Sequence, residues 1–236
     1  MKMNRGKSFF PLLKKIYELY DESIAGIGID MACRKRCSSC CTCNVTMTSL
    51  EAEFMISSLT IQEKNNLKIL IDKGFPEKRY IPKMSSNSFA RMCMQGKDIP
   101  VEENDPNWGK CPILMDDMCT FYDVRPFGCR ALMSEVQCRK NGYAQIPPMV
   151  LTINNLFLQF IEHVDQNGFF GNMSDIMTLF LTDEPTENIR NHIEIIDDGN
   201  ILSNEKITAL MVPQEHREKI RPTLDKLSSL VKMCRK

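Results

Sequence analysis

The chain has 236 residues, 43% hydrophobic and 25% charged, which suffices for one large domain or two small ones with a buried core. Thirty Lys and Arg balance thirty Asp and Glu, so nothing supports a general nucleic-acid or membrane-surface role. No apolar run nears the roughly 20 residues that span a bilayer. Lys14 and Lys15 interrupt the apolar stretch at 9–19, so no signal-peptide core is expected. A cytoplasmic protein is the expectation, and its thiols would stay reduced.

In chain order, residues 9–24 predict an amphipathic helix, with Phe9, Leu13, Ile16 and Tyr20 at helical spacing and Leu12 and Leu19 beside them. Gly26 and Gly28 break it. A polar loop rich in Cys, Ser and Thr follows. Thr48-Ser-Leu-Glu51 and Thr60-Ile-Gln-Glu63 are two capping-box signatures, predicting helices to about 59 and to Gly74. Residues 75–110 are rich in Pro, Ser, Asn and Gly and read as mainly irregular, apart from a short helix near 88–94 that carries Cys93. Arg125-Pro126 precedes a short helix through Leu132.

Pro147-Pro148 mark a boundary between residues 1–146, helices plus a cysteine-rich region, and residues 147–236, a helical C-terminal region. The two are either separate units or one continuous domain. Helices are predicted there at about 149–166, 174–182, 186–196, 204–210 and 222–234. Strand signals are few. The expected fold is mainly α: a helical protein with an irregular cysteine-rich metal-binding region.

Ten of the eleven cysteines lie between positions 33 and 138. Cys33, Cys37, Cys40, Cys41 and Cys43 form a first group; Cys111, Cys119, Cys129 and Cys138 form a second. Thiolates this dense must be separated, oxidised or bridged by a cation, and soft sulfur ligands select zinc, Cu(I) or an iron–sulfur cluster. Short spacings let one loop wrap a metal. The wider second group brings ligands from a turn and a helix start. An odd cysteine count and the adjacent Cys40-Cys41 suit a disulfide framework poorly. His163, His192 and His216 lie far along the chain from the cysteines and read as surface or core residues.

The block Cys111-Pro-Ile-Leu, then Cys119-Thr-Phe-Tyr-Asp-Val-Arg-Pro-Phe-Gly-Cys129-Arg, together with Cys33-x3-Cys37-x2-Cys40-Cys41, resembles the CxxCxxCC family of zinc- or iron-chelating proteins. The first group departs from that pattern by one extra residue between Cys33 and Cys37. The resemblance covers about residues 33–130 and implies a metal or iron–sulfur site. The expected ligands are Cys37, Cys40, Cys41, Cys111, Cys119 and Cys129, with Cys33 the less secure member. More cysteines than one zinc ion needs favour an iron–sulfur cluster over zinc. Cys43, Cys93, Cys138 and Cys234 are weaker candidates, since a lone cysteine is usually a small buried hydrophobe. Arg125 and Arg130 serve either local structure or the offsetting of thiolate charge.

Some relatives of that family are lysine N-methylases acting on flagellin, which places S-adenosylmethionine among the cofactors to test and a protein among the partners. Cys33-x3-Cys37-x2-Cys40 also has the spacing of radical S-adenosylmethionine enzymes, but a helix precedes it rather than a strand. No phosphate loop or nucleophile elbow is present, and Gly26-Ile-Gly28 reads as a helix end and turn. Asp116-Asp117 and Asp197-Asp198 read as solvated turns. Three functions are therefore expected: an iron–sulfur protein with an enzymatic or accessory role, a zinc-stapled interaction module, or a methylase. Neither catalysis nor oligomeric state follows from the sequence.

Overall fold

The computed structural model describes residues 5–182 and 199–233. The protein is mainly α-helical with little sheet. Helix α1 spans Arg5–Ala25 and buries Leu12, Leu13, Ile16, Leu19 and Tyr20, the apolar face expected from their spacing, with Tyr17 added. Gly28 takes a left-handed φ of 74° just beyond its end.

Strand β1 (Thr46–Thr48) runs straight into α2 (Ser49–Ser57), and α3 covers Ile61–Gly74. Both capping boxes form: Thr48 and Thr60 each accept from the N–H three residues on, and Glu51 and Glu63 bond back to them. Helix α4 (Ser86–Met94) starts on the Ser85 cap and is the short helix expected near 88–94, Cys93 included. Strands β2 (Leu114–Met115) and β3 (Met118–Cys119) make a hairpin whose two loop residues, Asp116 and Asp117, have φ of 49° and 60°. Positive φ at both central positions is what a two-residue hairpin turn requires, and Asp tolerates it.

Two short helices follow, α5 (Phe127–Ala131) and α6 (Cys138–Asn141). Then come α7 (Pro148–Val164), β4 (Phe169–Asn172), α8 (Met173–Phe180), β5 (Ile201–Ser203) and α9 (Arg217–Met233). Pro148 opens α7 at a first-turn position, where its missing N–H costs nothing. Strand β4 lies between β1 and β5 in an antiparallel sheet of order β1-β4-β5.

Two apolar clusters organise the molecule. The first joins α1, α7 and α9 through Leu13, Ile16, Tyr20, Leu156, Phe157 and Leu227, with Phe127 of α5 inserted among them. The second joins β1, α2, α3, β4 and α8, and Cys111, Cys119, Phe121 and Val124 pack against its edge. The cysteine segments therefore lie over the seam where α5 enters one cluster and the hairpin leans on the other.

One predicted helix is absent. Residues 204–210 form an irregular strap with a bend at 208–209. Its backbone is bonded to α7 and the turn after it rather than to itself. Glu205 N–H donates to Glu162 at 2.7 Å, Ile207 N–H to His163 Nδ1 at 3.2 Å, and Met211 N–H to Gln159 at 2.9 Å. Those side chains supply the bonds that a helix would have made internally. The predicted helix at 186–196, His192, Cys234 and Asp197-Asp198 lie outside the described residues. Among the described residues no helix is long and apolar enough to cross a membrane.

Candidate metal centre

The first cysteine group sits on a loop of tight turns between α1 and β1. Cys37 N–H donates to the Arg34 carbonyl at 2.9 Å and Cys41 N–H to the Ser38 carbonyl at 3.0 Å. Arg36 takes φ of 73° between them. These bonds fold the loop on itself without a helix or strand.

Backbone pairing then joins the two groups across the 69 intervening residues. Cys111 N–H donates to the Cys41 carbonyl at 3.0 Å, Cys43 N–H donates to the Gly109 carbonyl at 3.0 Å, and Thr42 pairs with Lys110. Cys41 and Cys111 are thus neighbours through main-chain geometry alone. Cys119 enters from β3. On the far side, Ala32 N–H donates to the Ser134 carbonyl at 2.8 Å, and the Cys33 thiol receives the Ser134 N–H at 3.2 Å.

Cys129 is carried by α5, which is pinned by a buried carboxylate. Glu51 accepts the α5 N–H of Phe127 at 2.6 Å, the Tyr17 hydroxyl at 2.8 Å and the Thr48 N–H at 2.9 Å. The capping residue expected for α2 is therefore also the anchor of α5 on α1. Burial nonetheless pushes its carboxyl up, and those donors oppose the shift. Gly128 completes the placement: a Cβ there would lie 2.5 Å from the Thr46 carbonyl oxygen, so only glycine lets α5 press onto β1.

The thiols feel one another. Cys129 is raised well above the ordinary thiol range, first by burial and then by the charges of Cys111 and Cys119, with Cys40 adding less. Cys111 is pushed up to about 11 by burial, with Cys119 and Cys43 as smaller causes. Cys40 is raised chiefly by its side-chain hydrogen bond with Cys41, then by burial. Burial also raises Cys119 and Cys33. Without a counter-charge such thiols stay protonated at neutral pH, and a bound cation would deprotonate them.

Arg125 supplies part of the opposing field. Its guanidinium lies 3.6 Å from the Tyr122 ring centroid, donates to the Tyr122 carbonyl at 2.8 Å, and lowers Cys40, Cys119 and Cys129. It serves both structure and charge. Arg130 is a structural brace. It donates to the Arg125 and Asp123 carbonyls at 3.2 and 2.8 Å and lies 4.3 Å from the Tyr17 ring centroid.

The structure thus gathers Cys40, Cys41, Cys111, Cys119 and Cys129 into one neighbourhood. Cys33 and Cys37 line a cavity of about 270 Å³ with Cys138, and after burial the charges of Cys40, then Cys37, then Cys138 raise Cys33, so this group adjoins the first through Cys40. Arg34, Lys35, Arg36 and Arg139 rim that cavity. Arg139 also binds Asp117 of the hairpin turn at 2.9 Å and Ser38 of the first loop at 3.1 Å. Sequence spacing gave no reason to place Cys138 beside Cys33, because 104 residues lie between them. Cys43 is buried, donates to Asn44 Oδ1 at 3.3 Å and touches the set only through its charge on Cys111, while Cys93 is exposed on α4 and stands apart. All ten described cysteines are free thiols. His163 and His216 serve the fold: His163 accepts from the strap, and His216 Nδ1 lies 2.7 Å from the Thr152 hydroxyl.

Among the described residues no three His, Cys, Asp or Glu side chains already stand at ligating geometry. The thiols suit a thiophilic cation in kind, but the described side chains are not arranged around one. Metal binding that orders its own ligands is the usual behaviour of cysteine-rich sites. Comparison of the chain with protein-family models, curated proteins and solved structures returned no match.

Proposed function

We propose that this is a cysteine-ligated metal-binding protein carrying an iron–sulfur cluster, working in a reducing compartment such as the cytoplasm. One observation carries the reading. Segments distant in sequence meet where the Cys111 N–H bonds the Cys41 carbonyl at 3.0 Å, and there the charges of Cys111, Cys119 and Cys40 act on the Cys129 thiol. Cys41 sits beside this set through the Cys111 backbone bond. A tetrahedral zinc and an iron–sulfur cluster each take four of these sulfurs and leave one thiol for redox or exchange chemistry, so metal and sulfide content decides between them. A cluster would supply electron transfer or a Lewis-acidic iron. The chain's own residues hold the sulfurs, surround them with apolar packing, and set Arg125 against their charge.

The test is the iron, zinc and acid-labile sulfide content of anaerobically purified protein, with its visible spectrum. Roughly equal iron and sulfide with broad absorbance near 400 nm supports the cluster. Cys129→Ser is expected to lose most of the bound metal, while Cys93→Ser keeps it. Stoichiometric zinc without sulfide overturns the cluster and favours a zinc-stapled interaction module. S-adenosylmethionine binding by the loaded protein tests the methylase alternative that the family resemblance raises.

A further inference from the structure

A second cavity, of about 370 Å³, opens against β1 and β4 at Thr46 and Phe170. Its size falls within the usual range of small-molecule sites. It is walled by α4, α7, the sheet and the 99–102 segment. The wall is mostly apolar and includes three aromatic side chains, Tyr80, Phe89 and Phe170.

Glu102 is the one charged side chain among the lining residues. Its carboxylate is held in place by the Tyr80 hydroxyl, which donates to Oε2, and by the Lys83 N–H, which donates to Oε1 at 2.6 Å. Neither partner carries a positive charge to it. The Lys83 ammonium binds the Val101 carbonyl at 2.7 Å, and no ion pair to Glu102 forms among the described residues. A carboxylate fixed by two neutral donors, and in no ion pair among the described residues, therefore lines a mostly apolar cavity.

Three further polar groups line the same space. The Thr46 and Ser86 hydroxyls and the Asn155 amide are half-buried, and none has a hydrogen-bond partner among the described residues. Half-buried polar groups facing a cavity without protein partners are available to a ligand. The aromatic faces add attraction for a cation.

We infer that this cavity is a binding site for a small organic ammonium ion with an apolar body, its charge set against Glu102 and its body against Phe89 and Phe170. The site is also wired to the cysteine loops. Asn172 Nδ2 donates to both the Tyr80 carbonyl at 3.0 Å and the Cys43 carbonyl at 2.9 Å. Tyr80 N–H in turn donates to Asn44 Oδ1 at 3.0 Å. The inference does not depend on a metal being bound.

The experiment is amide NMR titration of the full chain with three near-isosteric probes: 2-phenylethylammonium, 2-phenylethanol and 3-phenylpropanoate. The ammonium is expected to bind about tenfold more tightly than the alcohol, the size of one charge pair at a partly screened site, and the carboxylate most weakly. Shift changes should centre on Thr46, Tyr80, Phe89 and Phe170. Glu102→Gln, which keeps the side-chain shape, should abolish the preference for the ammonium. Leu158→Trp, which fills the cavity from α7, should abolish binding of all three in a chain that keeps its helical circular dichroism. Failure of the ammonium to bind at millimolar concentration, equal binding of the carboxylate, a preference that survives Glu102→Gln, or shifts elsewhere would each overturn the inference.

Discussion

The helical core and the cysteine region are built on opposite plans. In the core, α1, α7 and α9 bury continuous apolar faces, and Phe127, Phe157 and Tyr20 interlock with ring centroids 4.7 to 6.0 Å apart. Burial of that kind stabilises at about 25 cal/mol per Å² and needs no outside partner. The second cysteine loop rests Ile113, Cys111 and Cys119 on the other cluster, but the first loop and the hairpin tip have few buried apolar side chains. Isolated turns, one backbone bridge and the charge–polar contacts of Asp117, Ser38 and Arg139 hold them. The difference implies that the core is self-sufficient, and under the proposed function a bound metal would complete the order of the loops.

Stripping metal from the loaded protein with a thiophilic chelator under anaerobic conditions should separate the two regions most sharply. Amide exchange protection at 37–43 and 109–120 is expected to fall by orders of magnitude, with α1 and α7 unchanged. The scale is that of metal-dependent ordering, about 10–16 kcal/mol in zinc-finger peptides. Loss of protection in α1 and α7 as well would erase the comparison. Phe127→Ala probes the joint between the regions. It should cost about 3–5 kcal/mol in urea unfolding and also lower metal content, since Phe127 seats the helix that carries Cys129.

Glu51→Ala should cost about 3 kcal/mol, because the Phe127 N–H and the Tyr17 hydroxyl lose their charged acceptor. Its effect on metal content should follow that of Phe127→Ala. The metal-free fold should also weaken in alkali. A thiol whose folded pKa exceeds its unfolded one favours folding below the unfolded value, and that contribution disappears as pH rises through the folded value. For Cys111 the window runs from about 8.5 to about 11, so the urea midpoint should fall across it and less so in Cys111→Ser. Thr60→Ala, on the exposed α3 cap, should cost only about 1 kcal/mol and leave metal content untouched, which makes it the control.

Local signals carried through where each was complete within a few residues. The α1 face, both capping boxes, the short helix after Arg125-Pro126 and the turn at Asp116-Asp117 all needed no distant partner. The strap at 204–210 escaped because its periodicity is helical, while its bonding partners are Glu162, His163 and Gln159 on α7. Strand β4 escaped because Phe169–Asn172 is buried throughout and shows no alternation.

For the candidate site, the sequence by itself determined the donor chemistry, the two loops and the position of each cysteine along the chain. Sulfur type and spacing are covalent properties. Only the tertiary structure decided which thiols meet. The Thr42–Lys110 pairing sets Cys41 beside Cys111, the reach of Glu51 fixes Cys129, and the fold of the 132–138 segment turns Cys138 towards Cys33. Those encounters depend on backbone bonds and buried carboxylates spread over more than a hundred residues, and no local pattern encodes them.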